Sequence, residues 1–98
     1  MRKFSVSKRA QSDLRAIAIY TVRKWGTGQA VVYAKNLEAC FQTLAEMPGM
    51  GRCDAISPGL HRHEQGKHVV FYRLKPGVIR ITRVLHQQMI PNKPQLEP

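Results

Sequence analysis

The spacing of apolar residues changes once along this chain, and the change limits the folds that are open to it. Between Ala10 and Leu44, apolar side chains recur at intervals of three and four, the period of helices that bury one face. Between Leu60 and Gln87, the period is two, which is typical of strands. Helical segments followed by strands predict an α+β fold.

The helical half is predicted to form a hairpin of two helices. Ser7 offers a hydroxyl N-cap to the first helix, and Gly26-Thr27-Gly28 ends it. Met47-Pro48-Gly49 ends the second helix, because proline cannot continue a helical hydrogen-bond ladder. The short connection makes the helices antiparallel neighbours. The apolar stripes are Ala10, Leu14, Ile17 and Thr21 in the first helix, and Ala30, Ala34, Leu37, Phe41 and Leu44 in the second.

Strands are predicted on both sides of the helical hairpin. Residues 2–6 alternate and form the first strand, and residues 48–59 form a loop rich in glycine and proline. Gly66-Lys67 is a two-residue turn that pairs Gln65 with His68, and Lys75-Pro76-Gly77 makes a second hairpin. The predicted order is β-α-α-β-β-β, a helical hairpin on an antiparallel sheet. Which sheet face meets the helices stays open, because one more residue in the second turn would swap the pairing of the last strand.

Length and the terminal sequences define the expected organisation. The chain has 98 residues, and we expect one domain over residues 1–90 and a proline-rich extended tail over residues 91–98. Neither an apolar signal-peptide core nor a run of 18 apolar residues occurs in the sequence, so we expect a cytoplasmic protein. Cys40 and Cys53 are expected to be reduced thiols.

The charge of the chain indicates a polyanionic partner. Sixteen Lys and Arg residues against six Asp and Glu residues give a formal net charge of +10. A field of that sign attracts RNA, DNA, an anionic membrane surface or an acidic protein. Composition alone does not choose among them.

Three histidines raise the question of a metal site. The predicted pairing places His61, His63 and His68 on one face of the hairpin, an arrangement that zinc ligands can have. No fourth ligand is apparent nearby in the sequence, so solvated or packed imidazoles are the favoured interpretation. We therefore predict neither a metal site nor a cofactor.

Several segments in this order resemble the RelE/ParE toxin superfamily, and within it the ParE branch. The resemblance extends over roughly residues 2–90. Its segments are Ser7-x-x-Ala10-x-x-Asp13-Leu14, Trp25-Gly26, Met47-Pro48-Gly49-Met50-Gly51, His68-Val69-Val70-Phe71-Tyr72-Arg73 and Ile81-x-Arg83-Val84-Leu85-His86-Gln87. The resemblance implies a toxin of a type II toxin–antitoxin module that inhibits DNA gyrase. It also implies a ParD-like antitoxin that covers the toxin with an acidic C-terminal segment.

RelE-type toxins instead cut mRNA on the ribosome, and this is the alternative function. RNA cleavage requires an acid, a base and cations that stabilise the pentavalent phosphate. Relatives of the RelE type resemble one another in placing an arginine where this chain has Val69 and a second basic residue near Gln87. A reduced catalytic set of His86 and Arg83 stays possible, since histidine titrates near neutral pH. A binder that performs no catalysis is the favoured interpretation.

Two sets of contact residues are predicted. We expect target contacts at the end of the last strand and antitoxin contacts on the helical hairpin, and we expect no sequence-specific binding of nucleic acid. The predicted target contacts are Arg83, His86, Gln87 and Arg73. The predicted antitoxin contacts are Trp25, Lys24, Lys35, Leu37 and Phe41.

Overall fold

The element order of the computed structural model confirms the predicted order, with one additional short strand. The structure describes residues 3–53 and 58–87. Its elements are β1 (Lys3–Val6), α1 (Lys8–Trp25), α2 (Thr27–Glu46), a turn of 3-10 helix (Pro48–Met50), β2 (Arg52–Cys53), β3 (Leu60–Gln65), β4 (His68–Lys75) and β5 (Val78–His86). Met1, Arg2 and the predicted tail at residues 91–98 lie outside the described residues. Within the described ranges, no helix is both long and apolar enough to cross a membrane.

Ser7 begins α1 and also ties it to the sheet. Its hydroxyl oxygen accepts a hydrogen bond from the amide of Ala10 at 3.1 Å, which confirms the predicted N-cap. The same hydroxyl donates to the carbonyl oxygen of Thr82 in β5 at 2.8 Å. At the other end of α1, Gly26 adopts φ +91° and separates the two helices with a single residue.

The five strands form one sheet in the order β1-β5-β4-β3-β2. The pairs β5–β4 and β4–β3 are antiparallel, as predicted, and the additional strand β2 also pairs antiparallel with β3. The pair of β1 and β5 is parallel, so the sheet is mixed. The predicted pairing of β3 with β4 is confirmed, because Gln65 lies opposite His68 and His61 lies opposite Tyr72.

A β-bulge sets the register of β5. Lys75 pairs with Val78, so the second turn has only two residues between the strands, with Gly77 at φ +70°. The register then shifts by one residue between Phe71 and Tyr72, which leaves Thr82 as the extra residue of β5. The Thr82 hydroxyl donates to the Phe71 carbonyl at 3.2 Å and holds the bulge.

The core answers the question of which sheet face meets the helices. Val70 and Tyr72 point to the helical layer, whereas Val69 and Phe71 point to the opposite face. The helix-facing cluster comprises Ala10, Leu37, Cys40, Phe41, Leu44, Ala45, Val70, Tyr72, Ile79, Ile81 and Val84. The cluster on the opposite face comprises Leu60, Val69, Phe71 and Leu85.

The segment predicted as a loop at residues 48–59 is more ordered than expected, so that prediction is wrong in part. The buried Tyr72 hydroxyl donates to the Pro48 carbonyl at 2.7 Å and accepts from the Gly51 amide at 3.1 Å. These bonds hold the chain after α2 against the sheet, where Arg52 and Cys53 pair with β3. Residues 54–57 of the predicted loop lie outside the described residues.

Candidate functional site

An apolar groove runs between the helical hairpin and β1. Its volume is about 380 Å³. It exists because the two apolar stripes are only partly covered: Leu37 and Phe41 are buried, but Ala34 is exposed. The lining residues are Phe4, Val6, Leu14, Ile17, Ala18, Thr21, Ala30, Tyr33, Ala34, Leu37, Glu38 and Phe41. Glu38 is the one charged residue among them, so the groove suits an apolar helix face or extended segment.

The tip of the helical hairpin extends this apolar surface. Tyr20 and Trp25 are 57% and 64% exposed. The Lys24 ammonium lies 5.6 Å and 5.7 Å from the centres of the Tyr20 and Trp25 rings and donates to the Tyr20 hydroxyl at 3.1 Å. Two exposed rings with a cation between them can bind a segment that carries both apolar and acidic side chains.

The predicted antitoxin contacts therefore occupy different environments. Trp25 and Lys24 lie together at the exposed tip, and Lys35 is exposed on α2. Leu37 and Phe41 are each only 3% exposed and form the floor of the groove. Their first role is in the core, and their contact with an antitoxin stays a prediction.

Arg83 is held inside the structure by Asp13 of α1. Its Nε lies 2.7 Å from Oδ2 of Asp13, and its Nη2 donates to Oδ1 at 3.0 Å. The amide of Val84 also donates to Oδ2 at 3.0 Å. The side chains of Arg83 and Asp13 are only 13% and 12% exposed. This bidentate geometry fixes α1 against β5, so the guanidinium already has a structural role.

His86 belongs to a cluster of aromatic side chains where β4 and β5 meet α2. Its ring packs edge-on against His68, with 5.5 Å between the ring centres. The Tyr33 hydroxyl of α2 lies 2.5 Å from Nδ1 of His68. Burial, and secondarily the neighbouring His86, lowers the pKa of His68, while burial and then Cys40 raise the pKa of Tyr33. Both shifts favour the neutral forms at neutral pH.

The four predicted target contacts do not form a single site. Gln87 is exposed beside His86, and its amide donates to the Lys67 carbonyl at 3.0 Å. Arg73 lies five residues along β4 from His68, which is roughly 17 Å at the rise of a strand. Its guanidinium donates to the Pro58 carbonyl at 3.2 Å. His86 and Gln87 thus lie at one end of the sheet and Arg73 at the other.

Two of the three histidines considered for zinc have separate partners. His61 stacks on Tyr72 with 5.3 Å between the ring centres, and His68 contacts Tyr33 and His86. Among residues 3–53 and 58–87, no three His, Cys, Asp or Glu side chains come together as a metal site would require. The buried thiol of Cys40 has its pKa raised by burial to about 11, so it is protonated at neutral pH.

Two features of this region were missed at the level of sequence. One feature of the sequence could have indicated the ion pair between Asp13 and Arg83, because Asp13 is the single acidic residue in α1. Nothing in the sequence indicated the contact of His68 with His86, because regular pairing from the second turn places Leu85 opposite His68. The bulge at Thr82 produces the observed pairing.

Comparisons with known proteins match nearly the whole chain. Residues 4–91 match the family model described as the ParE toxin of the type II toxin–antitoxin system parDE. Toxin ParE1 of Caulobacter vibrioides is 45% identical over 91 residues, covering 91% of this chain and 93% of that protein. Toxin ParE1 of Mycobacterium tuberculosis is 38% identical over 89 residues, covering 89% and 91%.

Solved structures show the same fold at lower identity. A chain of the chromosomal ParDE system from P. aeruginosa superposes with a TM-score of 0.77 at 22% identity, covering 88% of this chain and 96% of that one. A chain of the toxin–antitoxin complex RelBE2 from Mycobacterium tuberculosis gives a TM-score of 0.63 at 18% identity, covering 88% and 98%. The family match over nearly the whole chain, supported by these relatives, places the protein among the ParE toxins of type II toxin–antitoxin systems.

Proposed function

We propose that this toxin inhibits DNA gyrase by binding, and that a ParD-like antitoxin neutralises it. Inhibition of gyrase by binding is supported by what this chain has in place of the catalytic residues of RelE-type ribonucleases. Val69, which stands at their arginine position, is fully buried in the cluster of the sheet face away from the helices. The guanidinium of Arg83, the cation of the alternative catalytic set, is paired with Asp13. Inhibition by binding does not need a catalytic cation at either position, whereas RNA cleavage does.

The alternative, ribosome-dependent cleavage of mRNA, rests on the contact between His68 and His86. Two neighbouring imidazoles can supply an acid and a base. His86→Gln separates the two functions, because general acid–base catalysis typically contributes about 10²- to 10⁴-fold. Lys67→Gln is the control, because it places the same glutamine side chain at the same end of the sheet without changing an imidazole.

The assay pairs two reactions of the purified toxin. We expect both the parent and His86→Gln to inhibit gyrase supercoiling, with loss of the predicted His86 contact weakening inhibition by less than about tenfold, equal to 1.4 kcal/mol. We expect neither protein to cut mRNA during translation. In cells, induction of the SOS response should precede the fall in protein synthesis. Cleavage of mRNA by the parent that His86→Gln abolishes, without inhibition of gyrase, contradicts the proposal.

The proposed antitoxin site is the apolar groove together with the hairpin tip. An amphipathic antitoxin segment places apolar side chains over Ala34 and the groove floor, while its carboxylates meet Lys24 and Lys35. Trp25 supplies an aromatic anchor at one end. The cations accelerate encounter with an acidic partner more than they raise the final affinity.

Filling the groove tests this site. Ala34→Phe adds a ring inside the groove, and Ala39→Phe adds the same ring to an exposed position of α2 that does not line it. We expect the antitoxin to be encoded in the adjacent reading frame, and titration calorimetry with that protein measures the affinity. We expect Ala34→Phe to weaken binding by at least about tenfold, equal to 1.4 kcal/mol, and Ala39→Phe to leave it unchanged. Equal affinities for both variants contradict the groove assignment.

A further inference from the structure

Glu38 places a carboxylate on the apolar groove. Among the described residues that line the groove, it is the charged one, and it lies next to Leu37 in α2. It follows Ala34 by four residues, so the two side chains are neighbours on one face of the helix. Leu37 is buried, whereas Glu38 is exposed. The carboxylate therefore stands at the rim of the groove, where a bound segment would cover it.

The other acidic residues of the helical hairpin do not share this position. Asp13 is paired with Arg83, and Glu46 lies about two turns beyond Glu38 and does not line the groove. Residues 14–37, which make up most of the hairpin, contain four cations and neither Asp nor Glu. An acidic partner thus meets cations along most of the hairpin but a carboxylate at the groove.

A partner that covers Glu38 has to compensate for the water that the carboxylate loses. Removing water from a carboxylate without a new partner costs more free energy than burial of a few methyl groups returns. An acidic side chain at the same place adds repulsion between like charges. A lysine or arginine of the partner offsets both effects, because its hydrogen bonds to a carboxylate are charge-assisted.

We propose that Glu38 selects the antitoxin by binding a Lys or Arg side chain that stands among the apolar residues of the antitoxin segment. This inference rests on the groove as the antitoxin site, and it names the chemistry of the segment that the groove accepts. An acidic amphipathic segment without that cation is rejected, because it leaves Glu38 covered and without a partner. Glu38 is therefore a specificity-determining residue of the toxin.

The place of Glu38 along α2 also sets the position of the cation within the antitoxin segment. Thr27 begins α2 at the hairpin tip, and Glu38 lies roughly 16 Å from it at the rise of a helix. A helical segment that runs along α2 carries its cation about 11 residues from the residue that meets the tip. An extended segment carries it about five residues away.

Charge reversal at Glu38 tests the proposal, because a specific contact and general electrostatics predict opposite results. Glu38→Lys makes the toxin more positive, so an acidic antitoxin should bind it at least as tightly if Glu38 has no specific partner. The control Glu46→Lys makes the same change at an exposed position of α2 outside the groove. Titration calorimetry uses the purified antitoxin that we expect in the adjacent reading frame.

The expected effect of Glu38→Lys is a loss of affinity of at least about 30-fold, equal to about 2 kcal/mol. Glu46→Lys should bind at least as tightly as the parent. Each Lys and Arg of the antitoxin segment is then changed to Glu in turn. One of these reversals should weaken binding to the parent toxin and restore the affinity for Glu38→Lys to within about tenfold of the original complex. Such a restoration also shows that the toxin variant is folded.

The remaining outcomes overturn the proposal. They are unchanged or tighter binding by Glu38→Lys, equal weakening by Glu46→Lys, and failure of every antitoxin reversal to restore the affinity. Ala34→Phe tests the groove separately, because its ring blocks the groove whatever residue contacts Glu38. If Ala34→Phe weakens binding and Glu38→Lys does not, the antitoxin site stands and selection by Glu38 is wrong. If neither variant weakens binding, the antitoxin site itself is wrong.

Discussion

Replacement of Asp13 by alanine tests the structural role of the ion pair between α1 and β5. The substitution removes two charge-assisted hydrogen bonds from Arg83, at 2.7 Å and 3.0 Å, and one from the Val84 amide at 3.0 Å. Arg83 would then lose the carboxylate that pairs with it at a site where its side chain is only 13% exposed. Breaking a buried pair from one side costs about 3–5 kcal/mol, and the residual exposure places this case near the lower end.

The expected loss of unfolding free energy for Asp13→Ala is about 3 kcal/mol. For a chain of this size, each kcal/mol lowers Tm by about 4–8 °C, so we expect a decrease of roughly 12–24 °C. Circular dichroism melts of the purified toxin measure it. Asp13→Asn keeps an acceptor for the Val84 amide but loses the charge, so it should fall between Asp13→Ala and the parent.

A double variant separates the ion pair from the space it occupies. Asp13→Leu/Arg83→Met removes both charges and keeps apolar volume, so it should recover most of the stability lost in Asp13→Ala. The role assigned to the pair is refuted if Asp13→Ala melts within about 1 kcal/mol of the parent, the range of a solvent-exposed pair. It is also refuted if the double variant is less stable than Asp13→Ala.

Three further perturbations follow from the structure. Leu37→Ala and Phe41→Ala should each lower the unfolding free energy by about 2–5 kcal/mol in denaturant titrations, because both side chains are buried in the core, and parental stability would assign them to an interface instead. Gly51→Ala should lower the unfolding free energy by about 1–3 kcal/mol, because its methyl group would overlap the Tyr72 hydroxyl. The double variant Tyr72→Phe/Gly51→Ala should lose less unfolding free energy than the two single variants combined. Stability should fall as pH decreases below about 6.5, because the pKa of His68 is lower in the folded state and the unfolded chain takes up the proton first. His68→Gln should flatten this dependence on pH.

Most of the fold follows from local sequence patterns. The Ser7 cap, the helix-ending glycines and prolines and the Gly66-Lys67 turn act over a few residues, and each gives the element that the sequence predicts. Local patterns could not predict which β5 side chains point to the helices. Thr82 forms a bulge because its side chain and backbone have partners in other elements, on Phe71 and on Ser7.

The sequence predicted the candidate site less well than it predicted the fold. The prediction that the end of β5 contacts the target treated Arg83, His86 and Gln87 as one exposed set, but Arg83 and His86 are half-buried and only Gln87 is exposed. The partner of Arg83 lies 70 residues away in the chain, and spacing within β5 carries no information about it. Arg83→Ala would therefore report stability together with any effect on target binding, so Gln87→Ala is the cleaner probe of the target surface.

The start of α1, the bulge and the ion pair act together to position the end of β5. β1 pairs with β5 only as far as Ile81, and beyond that point α1 provides the partners of the β5 backbone. Ser7 bonds to the carbonyls of Ile81 and Thr82, and Asp13 accepts from the Val84 amide. An uncovered strand edge invites pairing with other chains, so this arrangement also protects the sheet. Because the bulge places His86 opposite His68, loosening the start of α1 should disturb that contact even though neither Ser7 nor Asp13 lies in β4 or β5. The change in the pH dependence of stability in Ser7→Ala, compared with that in His68→Gln, measures this coupling.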